Sequence, residues 1–583
     1  MTFAKFSRMI WIGLGGRGWF RMPTIDVDYA EFERMLGVEL HGDMERLNEI
    51  LAYVKGEVKI FDEKEGVMSI EIKDTNRPDI WNIEGLTRAL RGFLGIEEGL
   101  KPYAVDKPIV EVHVDPELRN IRPFIGCSIV KDMKLSDTII RGLMHLQDKL
   151  DQTYGRNRQR TSIGLYDFSL VTQPLYYGVA KPTEVSFVPL GFGEKMNLEE
   201  ILERHPKGIE YGHIVKKHKV YPILKDSKQK VLSFPPIINS NDLGRVTEET
   251  KQVLVEVTGT AHETVLNTLK IVTLSLVDRG GKAYSATIHY PHENLEVVTP
   301  KFDTWLMELN VEYVNKVLGL KLTAKKIAQL LAKAKFGIKK LGRNKVNVQI
   351  PCYRIDVMHP IDLVEDIAIA YGYNKIKPLW RKLPTTGGVN PKQGLLNVAR
   401  ELMIGMGFQE VLTYTMTNPE NLFTKMNCRK TRIVEVANPK VQTFTCLRNW
   451  LLPSLMEFLS NNLHVEYPQK IFELDIVTLL DEKMETKTRD EERLAAVISH
   501  ANASFSEIKS ALDAFFLNLG LKWQIKETKH PSFINGRVGT AIVNGKNVGV
   551  IGEIHPKVLE AWKLENPAAA FEINMEMLIH AKT

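Results

Sequence analysis

A chain of 583 residues with 44% hydrophobic and 25% charged residues has the composition of a soluble globular protein of about four domains at roughly 150 residues each, which excludes a largely disordered polymer and a small scaffold needing covalent staples. Lys plus Arg number 77 and Asp plus Glu 71, so the formal charge is +6, a bias that allows an RNA partner without requiring one. Cys127, Cys352, Cys428 and Cys446 are scattered with no CxxC pair, which indicates a reducing compartment without a disulfide framework or a cysteine zinc site, and no run of about 18 apolar residues exists to form a transmembrane helix.

Residues 1–21 stand apart. They carry Lys5, Arg8, Arg17 and Arg21 and no acid, and Gly13-Leu14-Gly15-Gly16-Arg17-Gly18 fits G-x-G-x-x-G literally. A dinucleotide loop needs a strand before it and a helix after it, so that the pyrophosphate meets the helix N-terminus. Here Pro23 arrives five residues after the last glycine, with no helical period between them. The lack of acids has the character of a transit peptide, but the favoured reading is an upstream extension, with Met22-Pro23-Thr24-Ile25 as the natural start.

From Met22 onward, periodicity predicts helices over Tyr29–Gly37 and Met44–Gly56, a hairpin over Val58–Ile72 and a helix over Asp79–Leu94. Asp74-Thr75-Asn76-Arg77-Pro78-Asp79, between strand and helix, reads as a well-made cap. Residues 106 to about 270 read as a larger α+β block, with strands at Ile109–Val114, Ile125–Val130, Lys230–Phe234 and Val253–Gly259 and a long helix at Leu135–Tyr154. A compact block from about Asp303 to Ile376 follows. It has helices near Val311–Leu318 and Ala324–Ala334, a strand near Lys345–Ile350 and a helix from Pro360 to Tyr371. Pro378, Pro384 and Pro391 mark a linker. The last block opens with an amphipathic helix through Gly407, and Val543-Asn544-Gly545-Lys546-Asn547-Val548 reads as an Asn-Gly hairpin turn.

Two stretches carry polar groups in patterns that chemistry uses. In Arg354-Ile355-Asp356-Val357-Met358-His359-Pro360-Ile361-Asp362-Leu363-Val364-Glu365-Asp366, Pro360 opens a helix. Asp362, Glu365 and Asp366 then share one face, with Asp356 just upstream. Four clustered carboxylates repel unless water or a cation separates them, and all-oxygen ligands suit Mg²⁺; an acidic, solvated helix start fits the same spacing. In Ser233-Phe234-Pro235-Pro236-Ile237-Ile238-Asn239-Ser240, a diproline stiffens the turn and Asn239 and Ser240 supply amide and hydroxyl. Glu256 and Thr258 share one face of the strand Val253–Gly259. This suits a pocket for a small polar ligand, or a buried loop satisfying its own backbone. Tyr154–Arg160 and Lys216-Lys217-His218-Lys219 are basic clusters compatible with phosphate contacts or with a solvated face. There is no G-x-S-x-G elbow and no P-loop, and His262-Glu263 lacks the second His of a zinc-protease motif.

These pieces occur together in one family. They are Asn76-Arg77-Pro78-Asp79 with Glu84-Gly85-Leu86, the Gly155–Gly164 segment with Tyr166-Asp167, Phe234–Ser240, and Arg354–Tyr373 ending in Ala370-Tyr371-Gly372-Tyr373. Further on come Leu447-Arg448, Leu452-Pro453-Ser454-Leu455, Phe472-Glu473-Leu474, His530-Pro531, Gly536-Arg537 and Ile551-Gly552-Glu553-Ile554-His555-Pro556. From Met22 to its C-terminus the chain resembles the β subunits of phenylalanyl-tRNA synthetases of the archaeal/eukaryotic cytosolic type.

The resemblance implies an α+β multidomain fold. After the extension (1–21) it places a small helical, winged-helix-like B1 module (22–105), an α+β B3/B4 editing module (106–270), a connecting segment (271–302) and a second helical, winged-helix-like module, B5 (303–377). A linker (378–391) leads to a C-terminal class II synthetase-like antiparallel-sheet module, B6/B7 (392–583). It also implies a cytoplasmic α2β2 heterotetramer, without membrane association, that joins phenylalanine to tRNA(Phe) using ATP. The synthetic site, and most of the ATP binding, belong to the α subunit. A working class II core needs an Arg paired with Glu at the adenylate phosphate and a second Arg for ATP. Phe472-Glu473-Leu474 has no Arg two residues before the Glu, and Gly549-Val550-Ile551-Gly552-Glu553 has none following into its helix. The last module is therefore expected to be a scaffold for α and tRNA, with no aminoacylation residue on this chain.

Two sites carry over from the family. Asp356, Asp362, Glu365 and Asp366 match its magnesium positions. Leu224, Ser233, Asn239, Glu256 and Thr258 match the lining of an editing pocket that hydrolyses Tyr-tRNA(Phe). There Asn239 and Glu256 are expected to read the tyrosine hydroxyl, and an oriented water to make the attack. The rival readings are a stand-alone mischarged-tRNA deacylase and a non-enzymatic RNA-binding scaffold.

Overall fold

The computed structural model describes residues 23–290, 295–380, 385 and 387–582. The extension with its glycine pattern, and Pro384 of the linker, lie outside the described residues. The chain divides between Leu379 and Trp380 into two compact units, each of mixed α/β structure.

The first unit is built on three main sheets, with a two-stranded ribbon of Ser186–Phe187 and Met196–Asn197 beside them. In the first, Val67–Ile72 lies between Thr24–Asp28 and Gly56–Asp62, all antiparallel. Met68, Ile70 and Ile72 point inward, the period-two pattern of a half-buried strand. Helices Tyr29–Leu36, Met44–Leu51 and Ile83–Phe93 share its core. The helix expected from Asp79 starts four residues later. Arg77 grips both oxygens of Asp79 at 2.8 Å, residues 78–80 close as a 3₁₀ turn, and Asn82 caps the helix through Gly85 N at 3.0 Å.

The central sheet has ten strands. In order across it run Ile238–Asn239, Val231–Phe234, Tyr221–Lys225, Leu175–Ala180, Asp106–Val114, Lys282–Tyr290, Phe124–Lys131, Val253–Gly259 and Thr161–Asp167, with Leu295–Thr299 also paired to Lys282–Tyr290. Asp106–Val114 runs parallel to both of its neighbours. The break expected after residue 270 falls instead inside the helix His262–Asp278, and the expected connector 271–302 contributes two strands to the sheet. The physical reason is local: no Gly or Pro interrupts 262–278, and the helix ends only at Gly280-Gly281.

The end of that helix is tied to the first sheet's module. Arg88 and Tyr103 reach the Asp278 carboxylate at 2.6 and 2.8 Å, and Lys101 at 3.0 Å. Arg279 pairs with Glu84, and Asn82 donates to Ser275 at 2.6 Å. The third sheet, Trp305–Asn310, Lys345–Ile350 and Gly337–Leu341, is antiparallel. Its helices Val311–Leu318 and Pro360–Tyr371 have the bounds that the periodicity predicts.

The second unit is a seven-stranded sheet with the long strands Gln469–Leu480 and Thr488–Ser499 side by side. It is antiparallel except where Gln409–Glu410 joins its edge. Helices Pro391–Gly405 and Phe505–Asn518 contribute to a core that includes Phe472, Phe515, Phe516 and Phe571. Asn544 and Gly545 turn with positive φ (49° and 75°) between Phe533–Val543 and Lys546–Ile554, as a two-residue type I′ hairpin requires. Among the described residues no helix is long and apolar enough to cross a membrane.

Candidate functional site

Strand register assembles a small cavity in the central sheet. Val253–Gly259 lies between Phe124–Lys131 and Thr161–Asp167, so Glu256 stands opposite Cys127 on one side and Gly164 on the other. Tyr166, two residues beyond Gly164, faces the same way, and its hydroxyl donates to Glu256 Oε2 at 2.8 Å. A Cβ on residue 164 would lie 2.2 Å from that hydroxyl and 2.5 Å from Glu256 Oε2. Glycine at 164 is what leaves room for the pair.

From the other side, Ser233 and Asn239 pair across a tight turn. Asn239 Oδ1 lies 3.4 Å from the Tyr166 hydroxyl, and its Nδ2 reaches Leu165 O at 3.5 Å. The cavity, about 80 Å³ and open on one side, is lined by Ser162, Leu165, Ser233, Pro236, Asn239 and Glu256 among others. Two buried oxygens in its wall, Glu256 Oε1 and Ser233 Oγ, make no hydrogen bond of full geometry, with the Thr258 hydroxyl near Glu256 and Tyr166 near Ser233 as polar neighbours.

Burial pushes the Glu256 carboxyl up to about 7, against the opposing pull of the Tyr166 hydroxyl and the Arg122 guanidinium. Burial raises Asp151 to about 7 as well, against Arg158. Between the ordinary carboxylate value of 4.5 and about 7, the folded chain keeps protons that the unfolded chain has released, so stability falls as pH rises through that window. Glu256→Gln, which cannot titrate, is expected to make the fall shallower between pH 4.5 and 8. Urea midpoints measured across that range check this; superimposable slopes for the two proteins would refute a buried titrating Glu256.

Two arginines brace the pocket. Arg158 donates to Pro236 O and Ile237 O at 3.1 and 2.9 Å and lies 3.0 Å from Asp151 Oδ2, which anchors the diproline loop to the helix Asp137–Gln152. The basic cluster around Tyr154 thus contributes a buried strut in addition to exposed charge. Arg122, wholly buried, donates to Thr258 Oγ1, Thr258 O and Ser162 Oγ at 2.9, 2.7 and 3.0 Å.

Of the five expected lining residues the structure brings together Ser233, Asn239 and Glu256. Leu224 and Thr258 do not line this cavity. Leu224 pairs with Ser233 in register, but its side chain is buried in an apolar cluster, and Thr258 is occupied by Arg122. Arg158, which lines the cavity, and Gly164 and Tyr166, which pack on Glu256, were not singled out for the site. For Gly164 and Tyr166 the signal was the alternation on Thr161–Asp167, which puts them on the face opposite Ile163 and Leu165.

The four acidic positions of the third-sheet module are placed differently from a shared chelate. Asp356 receives both Arg354 Nε and Nη2, at 2.9 and 2.7 Å, and lies 3.7 Å from Arg77 Nε. Arg354 Nη2 also reaches Asp366 at 2.6 Å. Asp362 accepts from Met358 N and His359 N at 2.8 and 2.7 Å, capping the helix. Glu365 pairs with Lys55 at 2.6 Å. Burial would raise Asp356, but Arg354 and Arg77 hold it down to about 2. Each carboxylate therefore has a cationic or N–H partner, with Asp356 and Asp366 sharing Arg354. Among the described residues the one set of three or more such side chains with ligand atoms mutually within 4.8 Å is elsewhere, at Glu111, His113 and His289. As arranged, the four acids do not fit direct ligation of one Mg²⁺.

In the second unit, Glu473 is fully buried and its carboxylate is saturated. Oε1 accepts Arg448 Nη1 at 2.8 Å and Thr413 N at 3.1 Å, and Oε2 accepts Thr413 Oγ1 at 2.7 Å. Arg448 is also fully buried and donates in addition to Thr413 Oγ1, Asp475 and Ile476 O, at 2.8, 2.7 and 3.1 Å.

The chain matches two families of known domains: residues 307–373 match the tRNA synthetase B5 domain, and residues 376–575 the phenylalanyl tRNA synthetase beta chain CLM domain. It is 44% identical over 559 residues to the phenylalanine–tRNA ligase beta subunit of Pyrococcus furiosus, covering 96% of this chain and 100% of that one. To the corresponding subunit of Archaeoglobus fulgidus it is 41% identical over 559 residues, covering 95% and 98%. A crystal structure of an N-terminal fragment of the phenylalanyl-tRNA synthetase β subunit from Pyrococcus horikoshii aligns with a TM-score of 0.58 at 40% identity, covering 60% of this chain and all of the fragment.

Proposed function

The chain belongs to the β-subunit family of phenylalanine–tRNA ligases, and from that premise we propose that its Glu256 cavity hydrolyses tyrosine wrongly joined to tRNA(Phe). As a β subunit it is part of the ligase that joins phenylalanine to tRNA. The observation that carries the proposal is the buried Glu256 Oε1 beside Ser233 Oγ, neither of which makes a hydrogen bond of full geometry. A tyrosine phenol can donate to Oε1, while Tyr166 keeps Oε2 fixed. A phenylalanine ring in the same place would leave both oxygens buried and unmatched, a penalty of about 1–3 kcal/mol per group. The cavity thus prefers the amino acid that an apolar synthetic pocket rejects only modestly. No lining side chain is placed as a nucleophile, so a water held by the polar wall attacks the ester carbonyl.

Activation of phenylalanine with ATP belongs, in this reading, to an α partner in an α2β2 assembly. Arg448 and Glu473 support it, because a fully buried Arg with four of its five donors on protein acceptors is held away from an adenylate phosphate. The family uses ATP and Mg²⁺ in general; no step is assigned to a magnesium at Asp356, Asp362, Glu365 and Asp366. The reading places the tetramer in the cytoplasm, with tRNA(Phe) as the RNA partner.

The test uses the chain with and without its α partner. ATP–pyrophosphate exchange driven by phenylalanine is expected from the pair and absent from the chain alone; exchange by the chain alone would overturn the division of labour. In the pair, Asn239→Ala is expected to slow Tyr-tRNA(Phe) deacylation about tenfold or more, the loss of one hydrogen bond to a buried group, with phenylalanine ligation unchanged. Wild-type deacylation in that variant would remove the cavity from the reaction.

A further inference from the structure

A second constellation lies in the same sheet, away from the Glu256 cavity. The sheet order Leu175–Ala180, Asp106–Val114, Lys282–Tyr290, Leu295–Thr299 sets four residues in one cross-strand row. Tyr176 is opposite His113, His113 opposite His289, and His289 opposite Glu296. Glu111 precedes His113 by two residues and so shares its face. By strand parity this row is on the side of the sheet opposite Glu256, since Ser285 pairs with Ser128 while Glu256 pairs with Cys127.

The row is organised around one nitrogen. His289 Nδ1 lies 3.1 Å from Glu296 Oε1, and that hydrogen bond assigns the Nδ1–H tautomer. In the neutral ring Nε2 is then a lone pair. It is shielded from solvent and has no hydrogen-bond partner. Nε2 lies 3.9 Å from Glu111 Oε2, and the His289 ring is stacked on the His113 ring at 4.9 Å with 14° between planes. His113 is stacked in turn against Tyr176, at 5.5 Å and 24°. One ligand atom from each of Glu111, His113 and His289 lies within 4.8 Å of the others. Nε2 makes no hydrogen bond to any side chain of this row, and a divalent cation is one group that can be shared by the carboxylate and both imidazoles. The carboxylate on the far nitrogen is the arrangement that orients a metal-bound histidine and raises its basicity.

We propose that Glu111, His113 and His289 form a divalent transition-metal site, with Glu296 as its orienting residue. Two imidazoles and one carboxylate suit Zn²⁺ and differ in kind from the oxygen-only set that Mg²⁺ prefers. Three protein ligands leave a fourth position open, and Glu111, the most exposed of the three with 64% of its side chain accessible, keeps it open to solvent. The site takes a water there or a donor atom from a docked partner.

The test is direct titration of the full chain, stripped with chelator, with Zn²⁺ at pH 7.5 against a chromophoric competitor. One equivalent is expected to bind in the wild type, and none at this site in His289→Ala or His113→Ala. Glu296→Gln is expected to weaken binding roughly 10- to 100-fold, because it touches only the orienting residue. Cys428→Ser is expected to bind as the wild type does, which separates the site from the half-buried thiol. Because His289 is partly buried, Glu111→Gln on the exposed side serves as the variant that keeps the fold, and it is also expected to bind more weakly. The site is overturned if the wild type binds no Zn²⁺ more tightly than about 10 µM, a binding energy of roughly 7 kcal/mol. It is overturned equally if the histidine variants keep the equivalent.

Discussion

Gly164→Ala is expected to reduce hydrolysis of Tyr-tRNA(Phe) at least tenfold while phenylalanine ligation by the complex with α stays near the wild-type rate. The added methyl group would sit 2.2 Å from the Tyr166 hydroxyl and 2.5 Å from Glu256 Oε2, distances that non-bonded atoms do not tolerate. Neither neighbour is a free end on the surface: both are buried, and they are bonded to each other. The pair must separate or the strands must part. Either way Glu256 Oε1 leaves the position in which it reads a phenol. Overpacking of this kind costs about 1–3 kcal/mol in stability, so a melting curve on the variant is needed to show that it still folds. Tyr166→Phe, which removes the hydroxyl and adds nothing, is the companion. It keeps the shape of the site and is expected to lower deacylation by less than the alanine at 164 does. The account fails if Gly164→Ala deacylates as fast as the wild type.

Arg448→Ala is expected to destabilise the second unit by about 3–5 kcal/mol, the range seen when one partner of a buried pair is removed. Glu473 would keep its two bonds to Thr413 but lose its cation in a place with no solvent access. Arg448 also spans Asp475 and the Ile476 carbonyl, so its truncation opens a void as well as orphaning a charge. Replacing both partners distinguishes these effects. Arg448→Met with Glu473→Gln leaves no buried charge, and it is expected to recover a large part of the loss. Denaturant unfolding of the full chain reads both variants. A change below about 1 kcal/mol in Arg448→Ala, within the reach of an ordinary surface pair, would mean that the pair is not buried in solution.

Much of the candidate site was legible in the sequence because its signals are local. The diproline loop with Asn239, and Glu256 on an apolar strand, mark a polar wall in a buried place, and both line the cavity. Gly164 and Tyr166 act through strand register, which joins residues about 90 positions apart, and no local pattern carries that information. The acidic helix start is a similar case from the other side. The spacing of Asp362, Glu365 and Asp366 is as the helix period requires, but the partners that neutralise the cluster are Arg354, Arg77 and Lys55. Two of those three come from the first 80 residues, so spacing alone could not separate a metal from a cation of the chain. Glu111, His113 and His289 are the extreme instance, since the strands holding the two histidines meet only in the folded sheet. In the fold, helices with a clear 3.6-residue period were placed well. The break after residue 270 was misplaced because an uninterrupted buried helix looks the same at its middle as at its end.

That helix also limits how the chain can be divided. Asp278, at its end, sits among Arg88, Lys101 and Tyr103 of the preceding module, and Arg279 holds Glu84. A fragment that stops at 270 would strip two strands from the sheet and leave Arg88, which is buried, without its counter-charge. A fragment that begins at 106 would leave Asp278 unneutralised instead. The editing sheet is therefore not a cassette to be moved by itself between proteins. The smallest piece that keeps both ends of this ionic clasp, Glu31 included, and the sheet on which the helix Ile83–Phe93 packs starts at Thr24 and runs past Thr299.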